Sequence, residues 1–165
     1  MNGSISEEEK KIILKAREKA LNLLSYSDKT EHLLREKLKE GEFPPSAIDD
    51  AIEYVRSFHY LDDLRYAENF IRSHSDSKSI CEMREKLREK GVSKENIETA
   101  FSGAEIDEQK TVCQLFVKKF RYKVFTDPKV YEKGVRYFSG KGFGYEVIRN
   151  GIREALEAMK SDLNS

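Results

Sequence analysis

The chain has 165 residues, 36% of them charged, and its 30 basic and 30 acidic side chains cancel to a formal net charge of zero. A hydrophobic fraction of 38%, with no apolar run near the ~18 residues that span a bilayer, provides for small cores and for no membrane span. Nine Gly and three Pro are too few to punctuate a β-protein, whereas the abundance of Lys, Arg, Glu, Leu and Ala favours helix. The opening Met1–Lys11 is polar and acidic, so no signal peptide is expected. Cys81 and Cys113 form no C-x-x-C pair, and His32, His59 and His74 stand at no metal-ligand spacing. The two thiols read as buried or idle, in a reducing, cytoplasmic setting and without metal or cofactor.

From the amino terminus, Ser6–Lys11 reads as a frayed acidic helix start, and Ile13, Ala16, Ala20, Leu21, Leu23 and Leu24 give the apolar stripe of a first helix. Leu34 and Leu38 mark a second helix, which stops near Gly41, and Pro45–Ser46 starts a third carrying Ile48 and Ile52. The same sequence of events then repeats. Leu64, Tyr66, Ala67, Phe70 and Ile71 line a helix; Met83 and Leu87 line the next, which ends at Gly91; Ser93 opens another, with Ile97 and Phe101. In the third round the helix of Val112, Leu115, Phe116, Val117 and Phe120 is followed by Asp127–Pro128, read as an N-cap and first-turn proline. Val135 and Phe138 then lead to Gly142, and Ile148 and Ile152 follow.

These rounds share one ladder of apolar rungs, spaced five, five and four residues apart. The rungs are Leu38–Phe43–Ile48–Ile52, Leu87–Val92–Ile97–Phe101 and Phe138–Phe143–Ile148–Ile152, starting 49 and 51 residues apart. Such self-similarity is the mark of a repeat architecture. The expected fold is therefore all-α: three tandem three-helix repeats, over residues 1–58 (with a frayed N-terminus), 59–104 and 105–165 (with a short C-terminal tail). A unit of about 50 residues has a thin core, so neighbours should pack into an elongated, curved array with a concave side. In the first copy the glycine is displaced to Gly41, and its turn should differ from Gly91 and Gly142.

Residues that invite chemistry have structural explanations beside them. Asp62 and Asp63 next to His59 suggest acid–base or metal chemistry, but carboxylates at a helix start cap amides and face the positive end of the dipole. Gly140, Gly142 and Gly144 around Lys141 resemble a phosphate cradle, but no strand precedes them, which favours a helix–helix turn. No catalytic residue is assigned, and the chain reads as a binding protein. Between Lys110 and Lys141 the bases Lys118, Lys119, Arg121, Lys123, Lys129, Lys133 and Arg136 are opposed only by Asp127 and Glu132, with Tyr122, Tyr131 and Tyr137 interleaved. That patch suits phosphates and bases, an acidic protein surface, or plain solvent. A second basic run, Arg84, Lys86, Arg88 and Lys90 with Arg65 and Arg72 ahead of it, alternates with Glu82, Glu85 and Glu89, which suits intrahelical ion pairs equally well.

Tyr60-Leu61-Asp62-Asp63-x-Arg65-Tyr66-Ala67 followed by Glu85-Lys86-Leu87-Arg88-x-Lys90-Gly91-Val92 resembles the central signature of the RecX family of bacterial recombination regulators. Ala20-Leu21-x-Leu23-Leu24-Ser25, Leu34 through Leu38, and Gly142-Phe143 agree with it, so the resemblance covers Ala16 to Leu156. Tyr26 and the link Ser75-Asp76-Ser77-Lys78 depart from the family pattern, where basic residues are common. The resemblance implies a modulator, mostly an inhibitor, of the RecA recombinase and its ATPase in recombination, DNA repair and the SOS response. Such a protein lies in the groove of the RecA–DNA filament. The implied partners are that filament and single- or double-stranded DNA, with the protein itself a monomer. Charge and the expected concave face select Arg65, Arg72, Arg84, Arg88, Lys118, Lys119, Arg121 and Lys123 as contact residues. The alternative is a nucleic-acid-binding helical repeat protein that acts alone.

Overall fold

The computed structural model describes residues 5–163, and among these the chain is all-helical. The helices are α1 (Glu7–Tyr26), α2 (Glu31–Glu40), α3 (Pro45–Ser57), α4 (Asp63–His74), α5 (Ile80–Glu89), α6 (Lys94–Ser102), α7 (Glu108–Phe120), α8 (Val130–Gly140) and α9 (Tyr145–Leu163). The ladder lies inside: every rung is buried except Phe43 and Phe101, which are half-buried. The first rung of each copy falls two residues before its helix ends, at Glu40, Glu89 and Gly140.

Two compact units result. One holds the residues up to Asn69 with Leu87–Ser102, the other Phe70–Lys86 with the residues from Gly103 onward, so the middle repeat contributes to both. In the first unit α1 packs chiefly on α3, and the small buried residues Ala16, Ala20, Ala47 and Ala51 share a core with Leu34, Leu38, Ile48, Ile52 and Val55. Arg17 straps α1 to α3 through a forked pair of bonds to Asp50, of 2.5 and 3.0 Å, and its guanidinium lies 4.5 Å over the Tyr54 ring. In the second unit Phe116, Phe138, Ile148 and Ile152 fill the core. Two helical glycines set its spacing. A Cβ on Gly151 would stand 2.8 Å from the Gln109 carbonyl and Val112, and one on Gly134 would stand 2.7 Å from the Phe116 ring.

Each unit contains one junction between successive repeats, and the two junctions are built alike. At the first, Thr30 caps α2 by accepting from Leu33 N at 3.2 Å and donates its hydroxyl to the Lys90 carbonyl at 2.5 Å. The next amide, Glu31 N, donates to Asp63 at 2.9 Å, and His32 presses on Gly91. At the second, Ser79 accepts from Glu82 N at 3.0 Å and donates to the Lys141 carbonyl at 2.6 Å. Ile80 N donates to Glu108 at 2.7 Å, and Cys81 lies against Gly142. Both hydroxyl residues are fully buried. Each glycine takes a left-handed conformation, φ 78° and 84°, which only glycine adopts without cost and which also brings the neighbouring side chain close.

Four sequence expectations change. The helix start at Ser6 is not frayed: Ser6 and Glu9 form a reciprocal capping box. Met1–Ser4, and the tail at Asn164 and Ser165, lie outside the described residues. Asp127 does not open α8 directly; it accepts from Lys129 N at 3.0 Å and the helix begins at Val130. The first repeat's turn is not displaced, because Glu42 takes the left-handed position with φ 59° that Gly91 and Gly142 take elsewhere. Neither thiol is fully buried: Cys81 is exposed, and burial followed by the charge of Glu154 pushes the half-buried Cys113 thiol up.

Burial also pushes the Asp63 carboxyl above its ordinary value, against the bond from Glu31 N that favours its ionised form. Its contribution to stability is therefore complete below the ordinary carboxylate pKa and declines as pH rises through the raised value. Asp63→Asn keeps the acceptor and should match or exceed the parent near neutral pH, by a margin that vanishes in acid. Asp63→Ala should cost about 1 kcal/mol. Thr30→Val and Ser79→Ala each lose a cap and orphan a carbonyl, for about 2–3 kcal/mol. Gly91→Ala should be worse than Gly142→Ala, because the new Cβ meets the His32 Cβ at 2.3 Å in one case and the Cys81 Cβ at 3.0 Å in the other. Urea unfolding of the variants, with a pH series for the Asp63 set, measures all of these.

Candidate functional site

The residues around His59 are used by the fold. Asp62 caps α4 by accepting from Arg65 N at 2.9 Å, while Asp63 caps α2 of the preceding repeat. His59 itself holds a left-handed backbone, φ 57°, at the start of the α3–α4 turn, just after the Phe58 C-cap. Arg65, half-buried, donates its guanidinium to the carbonyls of His59 at 3.0 Å and Tyr60 at 3.4 Å, clamping that turn. No group of three or more His, Cys, Asp or Glu side chains among the described residues could hold a metal.

The glycine-rich turn after α8 is equally occupied. Its amides Lys141 N, Gly142 N and Phe143 N donate to the carbonyls of Tyr137, Ser139 and Phe138, at 3.0–3.2 Å, and the Lys141 carbonyl receives Ser79. A phosphate cradle needs such amides pointing outward and unshared. Here they close a helix.

Charge is distributed unevenly. In the first repeat cations and anions pair: Arg17 with Asp50, Arg35 with Glu31 and Asp49, and Arg56 with Glu31 and Glu53. Burial opposes ionisation of Glu31, but its bonds to Arg35 and Arg56 outweigh that and hold its pKa below the ordinary value. The end of α7 differs. Lys118 and Lys119 occupy the last turn, where the helix dipole favours cations, and Arg121 and Lys123 follow at once, all four exposed. Among the described residues no carboxylate forms an ion pair with Lys118 or Arg121. The nearby Asp127 is bonded to Lys133 at 2.5 Å and to Lys129 N, which with the charges of Lys133 and Lys123 draws its pKa down.

Aromatic side chains stand among these cations. Lys119 Nζ lies 4.4 Å, and Lys141 Nζ 5.9 Å, from the centre of the Tyr137 ring, which is edge-on to Phe120 and Phe138. Tyr122 is 87% exposed and Phe125 60% exposed. Such a surface offers positive charge for an anionic partner and ring faces for stacking.

Of the expected contact residues, the structure brings Lys118, Lys119, Arg121 and Lys123 together at the end of α7. Arg72 and Arg88 are exposed on α4 and α5, Arg84 is half-buried on α5, and each has a partner within the fold. Sequence reasoning missed the junction residues Thr30, Ser79 and Glu108. The available signal was a hydroxyl residue eight positions before Leu38 and again before Leu87.

The comparisons agree with this architecture. Residues 16–54 match the family model for the first three-helix domain of RecX, and residues 62–100 match that for the second. The regulatory protein RecX of Clostridium botulinum (strain Alaska E43 / Type E3) is 31% identical over 151 residues, covering 89% of this chain and 71% of the relative. That of Vibrio vulnificus (strain CMCP6) is 31% identical over 143 residues, covering 86% and 94%. The crystal structure of RecX from Lactobacillus salivarius superposes with a TM-score of 0.74 at 25% identity, covering 88% of this chain and 97% of that one. With two RecX domains matched in order, relatives similar over most of their length and the same helical fold, the chain belongs to the RecX family of regulatory proteins.

Proposed function

We propose that this protein regulates the RecA recombinase by binding the RecA–DNA filament, restraining filament growth, ATP hydrolysis and strand exchange. Its similarity to regulatory proteins named RecX, over both three-helix domains and most of the chain, carries this reading. The action is binding rather than turnover, because Asp62, Asp63 and Arg65 are engaged at helix ends and turns. The cations at the end of α7, Lys118, Lys119, Arg121 and Lys123, are the contact residues best placed to meet an anionic partner, with Arg65, Arg72, Arg84 and Arg88 contributing where they reach it. The setting is the cytoplasm, and the working form is a monomer.

A second reading, direct nucleic-acid binding without RecA, is favoured by the exposed Tyr122 and Phe125 beside these cations. One experiment separates the two: binding to RecA filaments on single-stranded DNA, with bare DNA as control, read together with the filament's ATPase rate. The regulator reading expects filament binding and a slowed ATPase, and it fails if neither occurs. Equal affinity for bare DNA with a steep salt dependence favours the second reading. Reversing the charge of Lys118, Lys119 and Arg121 together should weaken filament binding by roughly tenfold or more, with helical content unchanged. Unchanged affinity would remove that segment from the interface.

A further inference from the structure

One set of aromatic side chains belongs neither to a core nor to the basic segment after α7. In the turn between α3 and α4, Phe58 and Tyr60 are 53% and 52% exposed. Their rings stack, with centroids 5.9 Å apart and planes inclined by 21°. Tyr54, half-buried, meets Phe58 edge-on at 5.1 Å, so the aromatic series leads from the Arg17–Tyr54 contact to the surface. Leaving that much ring surface in water forfeits hydrophobic stabilisation. Between the two rings His59 holds its left-handed backbone, φ 57°, a conformation unfavourable for a residue with a side chain. Arg65 fixes this turn through its bonds to the His59 and Tyr60 carbonyls. Strain of this sort collects at binding sites, where a geometry prepared in advance lowers the cost of ordering.

Tyr60 also lines a cleft of about 490 Å³, together with Leu21 and Leu24 of α1. Its polar groups include Asn22, Asp28 and Arg65, and among the described residues Asp28 and Arg65 form no ion pair, with each other or elsewhere. A cleft of this size, with apolar walls and a few polar groups, suits a small planar ligand. The chemistry of the walls selects a nucleotide. A stack of two rings is extended by a third flat ring, and base–aromatic stacking tolerates any base. The Asp28 and Asn22 side-chain oxygens can accept from an exocyclic amine, such as that of adenine. Arg65 has guanidinium donors beyond the two its turn uses, and these suit a phosphate. A phosphate alone would gain little, because the cation shares the cleft with a carboxylate. Asn22, Asp28, His59 and Tyr60 are exposed, so the rim is open and a strand can enter and leave.

We infer that the cleft between α1 and the α3–α4 turn is a subsite for one unpaired nucleotide of a single nucleic-acid strand, its base stacked on Tyr60 and its phosphate at Arg65. The site is distinct from the basic segment after α7, which belongs to the other compact unit. It stands whether or not the recombinase reading does, because it calls for a strand with bases and for no protein.

The chain contains no Trp, so Tyr60→Trp in the full-length protein puts a single indole reporter on the cleft. It is titrated, without recombinase, with a short oligodeoxyadenylate, with an abasic oligomer of the same length and charge, and with free deoxyadenosine monophosphate. The expected result is strong quenching by the first and little by the other two at equal phosphate concentration. Tyr60→Ala should weaken binding of the oligodeoxyadenylate about tenfold and leave that of the abasic oligomer unchanged, while Tyr60→Phe keeps most of the parent affinity. Circular dichroism checks that the helical content of each variant is intact. Equal quenching by the abasic oligomer, or none by any of the three, overturns the inference. Quenching by the monophosphate as strong as that by the strand overturns the assignment to a strand. A Tyr60→Ala protein that loses affinity for the RecA filament but not for bare oligodeoxyadenylate also overturns it, since the cleft then holds a protein side chain.

Discussion

A single buried hydroxyl at each repeat junction joins local to tertiary structure. The Thr30 oxygen accepts the Leu33 amide, starting α2, and the same group donates to the Lys90 carbonyl sixty residues away. Ser79 does the same for α5 and the Lys141 carbonyl. A buried polar group must find partners, and these two have both a donor and an acceptor to satisfy. The helix start and the neighbouring repeat are thereby held in one geometry. The carbonyl is presented by a turn that only glycine makes without strain, and the adjacent amide is met by a carboxylate from the following leading helix. Leu38, Leu87 and their fellow rungs supply the free energy of burial, which is non-directional; the hydroxyls and glycines supply the register.

Asp63 takes its meaning from that arrangement. Beside Asp62 and His59 it looks like part of a reactive cluster, yet it faces away in function, capping the helix of the preceding repeat while Asp62 caps its own. The forces on its proton are those of a half-buried helix cap: loss of water raises the pKa and the Glu31 amide lowers it.

A neutral total charge conceals a division of labour. Ion pairs in the first repeat join α1, α2 and α3, through Arg17, Arg35 and Arg56. Among the described residues no carboxylate forms an ion pair with Lys118 or Arg121 at the end of α7, and the nearby Asp127 is bonded to Lys133. Exposed ion pairs add little to stability, so the first repeat gains chiefly in geometry. Exposed cations without a neighbouring carboxylate generate a positive field that reaches into solvent.

The sequence by itself determined the nine helices found among the described residues and their repetition, because burial of one helix face imposes a period on the apolar residues that survives in the one-dimensional record. It also determined the left-handed turns at Gly91 and Gly142, and the basic segment from Lys118 to Lys123, since glycine and charge are read directly. The RecX resemblance was legible for the same reason: its signature is these local patterns in a fixed order. Only the tertiary structure decided which groups meet. Thr30 with Lys90, Glu31 with Asp63 and Ser79 with Lys141 are pairs distant in sequence, and a threonine or serine ahead of a helix looks the same whether its hydroxyl donates to water or to a neighbouring repeat. The turn at Glu42 shows the converse. Its conformation is that of the glycine turns although it carries a side chain, which the structure leaves exposed, a fact of packing that no local pattern records.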